Sequence, residues 1–170
     1  MNARLAFLAL FTLCIAAALG LGNAQAAKST PDFIEKASIG GQFEIASSRI
    51  ALKRSHNADV RQFAQRMIDD HTKATDQLKS TIAADPNLHT STFSMDTKHE
   101  KMLDRLKQAT DTDFDKQYVK EQVAAHKEAV SLFKDYANEG DNDALKGFAR
   151  TTLPILEDHQ RHIEQIKSSM

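Results

Sequence analysis

An all-α fold, four long helices packed as two hairpins, is what this sequence predicts. Three observations carry the prediction. Apolar residues recur every three or four positions in four stretches of about 25 residues, the spacing of one face of a helix. The 170 residues hold only 6 Gly and 3 Pro, too few for a turn-rich sheet protein. With 41% hydrophobic and 26% charged residues, the chain is apolar enough for a core and too charged for an integral membrane bundle.

Residues 1–26 read as an export signal rather than as part of the fold. Arg4 supplies a positive start, Leu5 to Leu21 is almost wholly apolar, and Ala24-Gln25-Ala26 offers small residues for cleavage after Ala26. An uncleaved membrane anchor is the alternative, because the apolar run just reaches bilayer length. Cleavage places the mature chain in the periplasm or otherwise outside the cytoplasm, with no stable membrane span. It also removes Cys14, the single cysteine. Disulfides, thiolate nucleophiles, iron–sulfur clusters and covalent haem attachment are thereby excluded. Residues 27–31 form a short linker and 32–168 the bundle domain.

The first helix opens at Pro31-Asp32, carries Phe33, Ala37, Gly40, Ser47 and Ala51 inward, and ends near Ser55-His56-Asn57. Asn57 or Asp59 caps the second, whose stripe is Val60, Ala64, Met67, Ala74, Leu78 and Ile82. Asp85-Pro86-Asn87 stops it. Leu88 to Met95 is loop, and Asp96 to Gln108 is a short helix with Met102, Leu103 and Leu106. Thr110-Asp111-Thr112-Asp113 signals the start of the third long helix, which runs to Glu139 with Phe114, Val119, Val123, Val130, Phe133 and Ala137 inward. Gly140-Asp141-Asn142 is a turn, with Gly140 at the C′ position. The last helix presents Leu145, Phe148, Thr152, Ile155, Ile163 and Ile166. A long connection between the hairpins favours a lengthwise crossover. Val60–Arg66 and Leu145–Arg150 are similar, which suggests that one hairpin duplicated the other.

Charge excludes one class of partner. Lys and Arg number 22 against 23 Asp and Glu, so no basic face for nucleic acid is implied. No nucleophile elbow or phosphate loop is present, and no reaction is assigned. A second copy of the chain or an envelope protein remains the open class of partner.

Each long helix carries one polar residue inside its apolar stripe: Glu44, His71, His126 and His159. Glu44 and His71 are equidistant from the turn near Asn57. His126 and His159 are equidistant from the turn near Asn142. All four are therefore expected in one central layer. An unpaired buried charge is strongly disfavoured, and a metal ion resolves the conflict. Carboxylate and neutral imidazole suit iron, zinc, copper or manganese. A hydrogen-bonded polar network without metal is the alternative. Asp70 and Asp158 are read as flank charges, either of which is placed to orient an imidazole. Glu121, Glu128 and Glu157 are read as solvated, His56, His89 and His99 as surface residues, Tyr118 as core, and His162 as a candidate for a second site. Gly40-Gly41 suggests close helix approach or a bulge, and Pro154 a kink in the last helix.

The run from Phe33 to Glu44, Phe63-Ala64 to Asp70-His71, Tyr118 to His126, and Phe148-Ala149 through Leu153-Pro154 to His159 resembles the exported bacterial ferritin-like family catalogued as domain of unknown function 4142. The resemblance implies a ferritin-like four-helix fold in the cell envelope, with no established activity. The wider ferritin-like group builds two-metal sites from Glu and Glu-x-x-His. Here Ile68, Val123 and Leu156 stand three residues before the histidines, so a di-iron oxidase pattern is absent. One ion with mixed His and carboxylate ligands is the expectation. The competing readings are a metal-free structural or stress-related envelope bundle, and a bundle holding non-covalent haem through a histidine with Met67 or a second histidine.

Overall fold

The computed structural model describes residues 28–89 and 93–170. The export signal and its cleavage site lie outside the described residues. Five helices make up the fold: α1 (Thr30–Arg54), α2 (Ala58–Ala84), α3 (Thr97–Gln108), α4 (Phe114–Glu139) and α5 (Asp143–Ser168). The four long ones hold 25 to 27 residues each.

Local chemistry explains where the helices begin. The Asn57 side chain accepts from the backbone N–H groups of Asp59 and Val60, at 2.9 and 3.1 Å. Asp96 accepts from His99 N–H at 2.8 Å and Asn142 from Leu145 N–H at 3.0 Å. These groups satisfy amides that the first turn of a helix leaves without partners. At α4 the carboxylate of Asp113 instead accepts from the Thr110 hydroxyl at 2.7 Å, holding the turn before the helix. Gly140 closes α4 in an extended conformation, φ −62° and ψ 149°, not the left-handed one expected of a C′ glycine. Its reason is space: a Cβ there would stand 2.7 Å from the Tyr136 ring.

Around the bundle the order is α1, α2, α5, α4, with each hairpin flanked by the other. α1 and α4 run antiparallel. Phe33 stacks on Tyr136 at 4.0 Å, and Ser48 meets the Tyr118 hydroxyl at 2.9 Å. α2 and α4 therefore point the same way, and the connection between them must travel the length of the bundle. α3 lies in that connection, against α1 and α4. Arg54 ties it down. Its guanidinium donates to the carbonyls of Leu106 and Ala109, both at 2.7 Å, and lies 4.6 Å from the Phe114 ring centre. Carbonyls at the end of α3 are thus answered by a side chain from α1.

Two apolar clusters fill the ends of the bundle. One contains Phe33, Leu78, Phe133, Tyr136 and Phe148, the other Val60, Phe63, Met67, Phe114 and Ile163. Phe63-Ala64 and Phe148-Ala149, the residues of the sequence repeat, are buried in opposite clusters, as antiparallel α2 and α5 require. α5 continues as helix through Pro154, and its stripe runs Leu145, Phe148, Thr152, Leu156, His159, Ile163. Ile155, expected inward, is 40% exposed. Leu156 holds the inward place three residues before His159, and its neighbour is turned about 100° away.

Candidate metal centre

Between the two clusters lies a layer of buried polar side chains, to which α1 gives Glu44, Ser47 and Ser48, α2 His71, α4 Gln122 and His126, and α5 His159. His126 and His159 are 0% exposed and His71 is 7% exposed. The three imidazole centres are 5.5 to 5.9 Å apart. Each ring offers a nitrogen within 4.8 Å of the nitrogens offered by the other two.

Hydrogen bonds set the tautomers of two rings. His126 Nδ1 stands 3.0 Å from the Gln122 carbonyl, which accepts only from N–H. Its Nε2 is then a lone pair, and it has no partner. His159 Nε2 stands 2.8 Å from the Asp70 carboxylate and donates to it, which leaves Nδ1 as the lone pair, again without a partner. His71 Nε2 is likewise buried and unpartnered. A carboxylate or carbonyl behind an imidazole is the usual arrangement at a metal site, because it fixes the ring and makes its free nitrogen more basic.

Electrostatics keep the rings neutral. Burial drives the His71 imidazole well below its ordinary range, and the neighbouring His126 and His159 drive it further. Burial, then the proximity of His159, pushes His126 down to about 3. Burial also lowers His159, although the Asp70 hydrogen bond works against it. At neutral pH all three are uncharged, the form in which imidazole binds metal.

Glu44 stands behind this set. Its Oε1 is 3.5 Å from His126 Nδ1, on the opposite side of the ring from the free Nε2. Burial raises its carboxyl to about 8, with Gln122 pulling the other way. The Glu44–His126 contact at neutral pH is therefore between two uncharged groups, not an ion pair. The other carboxyl oxygen, Oε2, is buried without a partner.

Asp70 is the residue whose role sequence spacing left open. It turns away from His71, its neighbour in sequence, and reaches His159 across the helix pair. Arg66 holds it, donating to Asp70 at 3.3 Å and to Asp158 at 2.6 Å, and Arg161 donates to Asp158 at 2.8 Å. A line of alternating charges thus runs from the surface to the imidazole layer. Glu121, expected in solvent, is 4% exposed and takes hydrogen bonds from Arg105 at 2.7 Å and Gln117 at 2.6 Å. α3 covers that face of α4, and the helical wheel of α4 alone does not reveal it. His99, expected on the surface, packs 5.2 Å from Phe43 and binds Asp96 at 2.7 Å. His162 lies 5.4 Å from Phe63 and outside the three-histidine set.

The chain belongs to the family described as domain of unknown function DUF4142. The family model matches residues 17–166. No curated protein matches the sequence. Two solved structures share the fold. One is described as CopM in the Cu(II)-bound form, 16% identical, with a TM-score of 0.71 over 84% of this chain and 98% of that one. The other is a DUF305 fragment from Deinococcus radiodurans, 13% identical, with a TM-score of 0.68 over 85% of this chain and 99% of the fragment. At these identities the likeness is one of fold. Among the described residues, no helix is long and apolar enough to cross a membrane.

Proposed function

We propose that this protein is an exported bundle that binds one transition-metal ion through His71, His126 and His159, with Glu44 as the carboxyl group beside His126. The carrying observation is the set of three buried ring nitrogens that lack hydrogen-bond partners. Two of them are lone pairs by the logic of their hydrogen bonds. Buried lone pairs with no donor destabilise a fold, and a cation answers them. Three neutral imidazoles suit copper, zinc, iron or nickel, and copper leads by intrinsic affinity. The same fold also occurs in a protein described as copper-bound. Export rests on Arg4, the apolar Leu5–Leu21 run and Ala24-Gln25-Ala26. The metal adds charge and Lewis acidity to the layer, while the chain orients the rings through Gln122 and Asp70.

Elemental analysis of the tag-free mature protein, purified without chelators, tests this reading. About one equivalent of metal is expected by the single-site geometry, with loss in His71→Ala. A folded protein that stays empty after titration with copper, zinc, iron, nickel and manganese overturns it. The second reading, a metal-free envelope bundle that acts by binding a protein partner, draws on the two apolar clusters, which close the bundle at both ends without any ion.

A further inference from the structure

A cavity of about 400 Å³ opens beside the layer, and neither the fold nor the three histidines account for it. Its inner end is formed by Glu44 and His71, and its walls by apolar side chains such as Leu78, Ala129, Phe133 and Leu156. The volume lies within the range of small-molecule sites, and so does the composition, apolar walls with few polar groups at one end. Glu44 is 2% exposed and its Oε2 has no partner. The charged residues along the lining are of both signs, Lys36 and Lys98 with Glu35, Asp96 and Glu128, and Lys98 pairs with Glu128.

The two glycines of α1 belong to this cavity. Glycine inside a helix is destabilising relative to alanine, and close helix packing is the usual reason to keep one. That reason fails here. A Cβ at Gly40 would meet nothing within 4 Å, and one at Gly41 would make only an ordinary contact, 3.4 Å from the Thr75 hydroxyl. Both glycines line the cavity, and their missing side chains leave its wall open.

We propose that the cavity binds a small neutral molecule with an apolar body of one or two rings and a hydroxyl head, seated with the hydroxyl on Glu44. A hydroxyl both donates and accepts, so it suits the Glu44 carboxyl at the cavity wall in either protonation state. A charged head would lose its hydration among the apolar walls. The site adjoins the metal centre, because His71 belongs to both, but its proposed contact is with Glu44 and not with a ring nitrogen.

The probe is 2-naphthol, followed by its own fluorescence in a chain that has no Trp. Titration of the chelator-treated, metal-free mature protein should give saturable one-to-one binding. Naphthalene, the same body without the hydroxyl, should bind about tenfold more weakly, the worth of one buried hydrogen bond. Gly40→Leu fills the open wall and should weaken 2-naphthol at least about tenfold by the same measure, with the circular dichroism melt retained. Ala129→Leu, on the facing wall, gives the same result by a second route. Absence of saturable binding to the wild-type protein overturns the site. Unchanged binding in a folded Gly40→Leu or Ala129→Leu variant overturns its location, and equal affinity for naphthalene overturns the seat on Glu44. Because the protein is metal-free throughout, a failed metal centre leaves this test standing.

Discussion

At one end of the bundle Phe33, Phe133, Tyr136 and Phe148 pack ring against ring, and at its middle His71, His126 and His159 do the same. The spacings overlap: 4.0 to 6.4 Å between centres at the aromatic end, 5.5 to 5.9 Å in the histidine layer. The polar atoms differ. The one hydroxyl at the aromatic end, on Tyr136, is bonded to Thr30 and Asp141. In the layer Glu44, Gln122 and all three histidines keep a buried atom with no partner. Packing alone explains the first region completely. The second has the shape of a core and the donor set of a candidate metal site.

pH should separate the two regions most widely. Unfolded imidazole titrates near 6.5, whereas buried His126 does so near 3. As pH falls through this window the unfolded chain takes up protons first, so the metal-free protein loses stability. His71 and His159 add to the same slope. Glu44 works in the opposite sense: its carboxyl is raised from 4.5 to about 8, so its contribution is lost as pH rises through that interval. Three groups outweigh one below pH 6.5, and Glu44 acts alone above it. Urea midpoints of the metal-free protein should therefore peak near pH 6.5, and His126→Leu should flatten the acid limb. A curve without an acid limb would break the contrast.

Next in size is Phe33→Ala. Removing this buried ring should lower the unfolding free energy by about 3–5 kcal/mol, read from urea denaturation, and leave metal stoichiometry unchanged. Adding the bound metal at roughly a hundred times its Kd should stabilise the wild type by about 2.7 kcal/mol and His126→Leu not at all, as thermal melts would show. Smallest is Asp70→Asn. The layer keeps its shape, but His159 loses the carboxylate behind it, and metal affinity should fall about 10- to 100-fold in competition with a chelator. Unchanged affinity would mean that Asp70 serves only the surface charge line.

The elements were legible because their signals are local. Asn57, Asp96 and Asn142 cap the helices they precede, and Asp85-Pro86-Asn87 ends α2 at Ala84. The convergence of the three histidines was legible because equal distances from a tight turn place residues level across a hairpin. What was not legible depends on long-range placement. Glu121 is buried, and His99 half-buried, by the position of α3, which no spacing within α4 or α3 encodes. Phe43 and Gln122 escaped notice because each lies beside a residue already assigned inward. Asp70 serves the ring of another helix, and Gly40-Gly41 lines a cavity rather than a tight helix contact. Sequence periodicity gives the face of a helix but not the identity of what that face meets.

The first described residues have a consequence for the order of folding. Lys28 and Gly140 form a short parallel bridge, with Lys28 N–H donating to the Glu139 carbonyl at 2.7 Å, and Thr30 bonds Tyr136 and Asp141 at separations of 106 and 111 residues. Each hairpin forms through neighbours in the chain, but this latch joins the start of α1 to the α4–α5 turn across those separations. A chain released from its N-terminus outward holds α1 complete while its first turn still lacks a resting place. The latch can shut only after the turn between α4 and α5 has arrived, so it times the end of folding rather than its start.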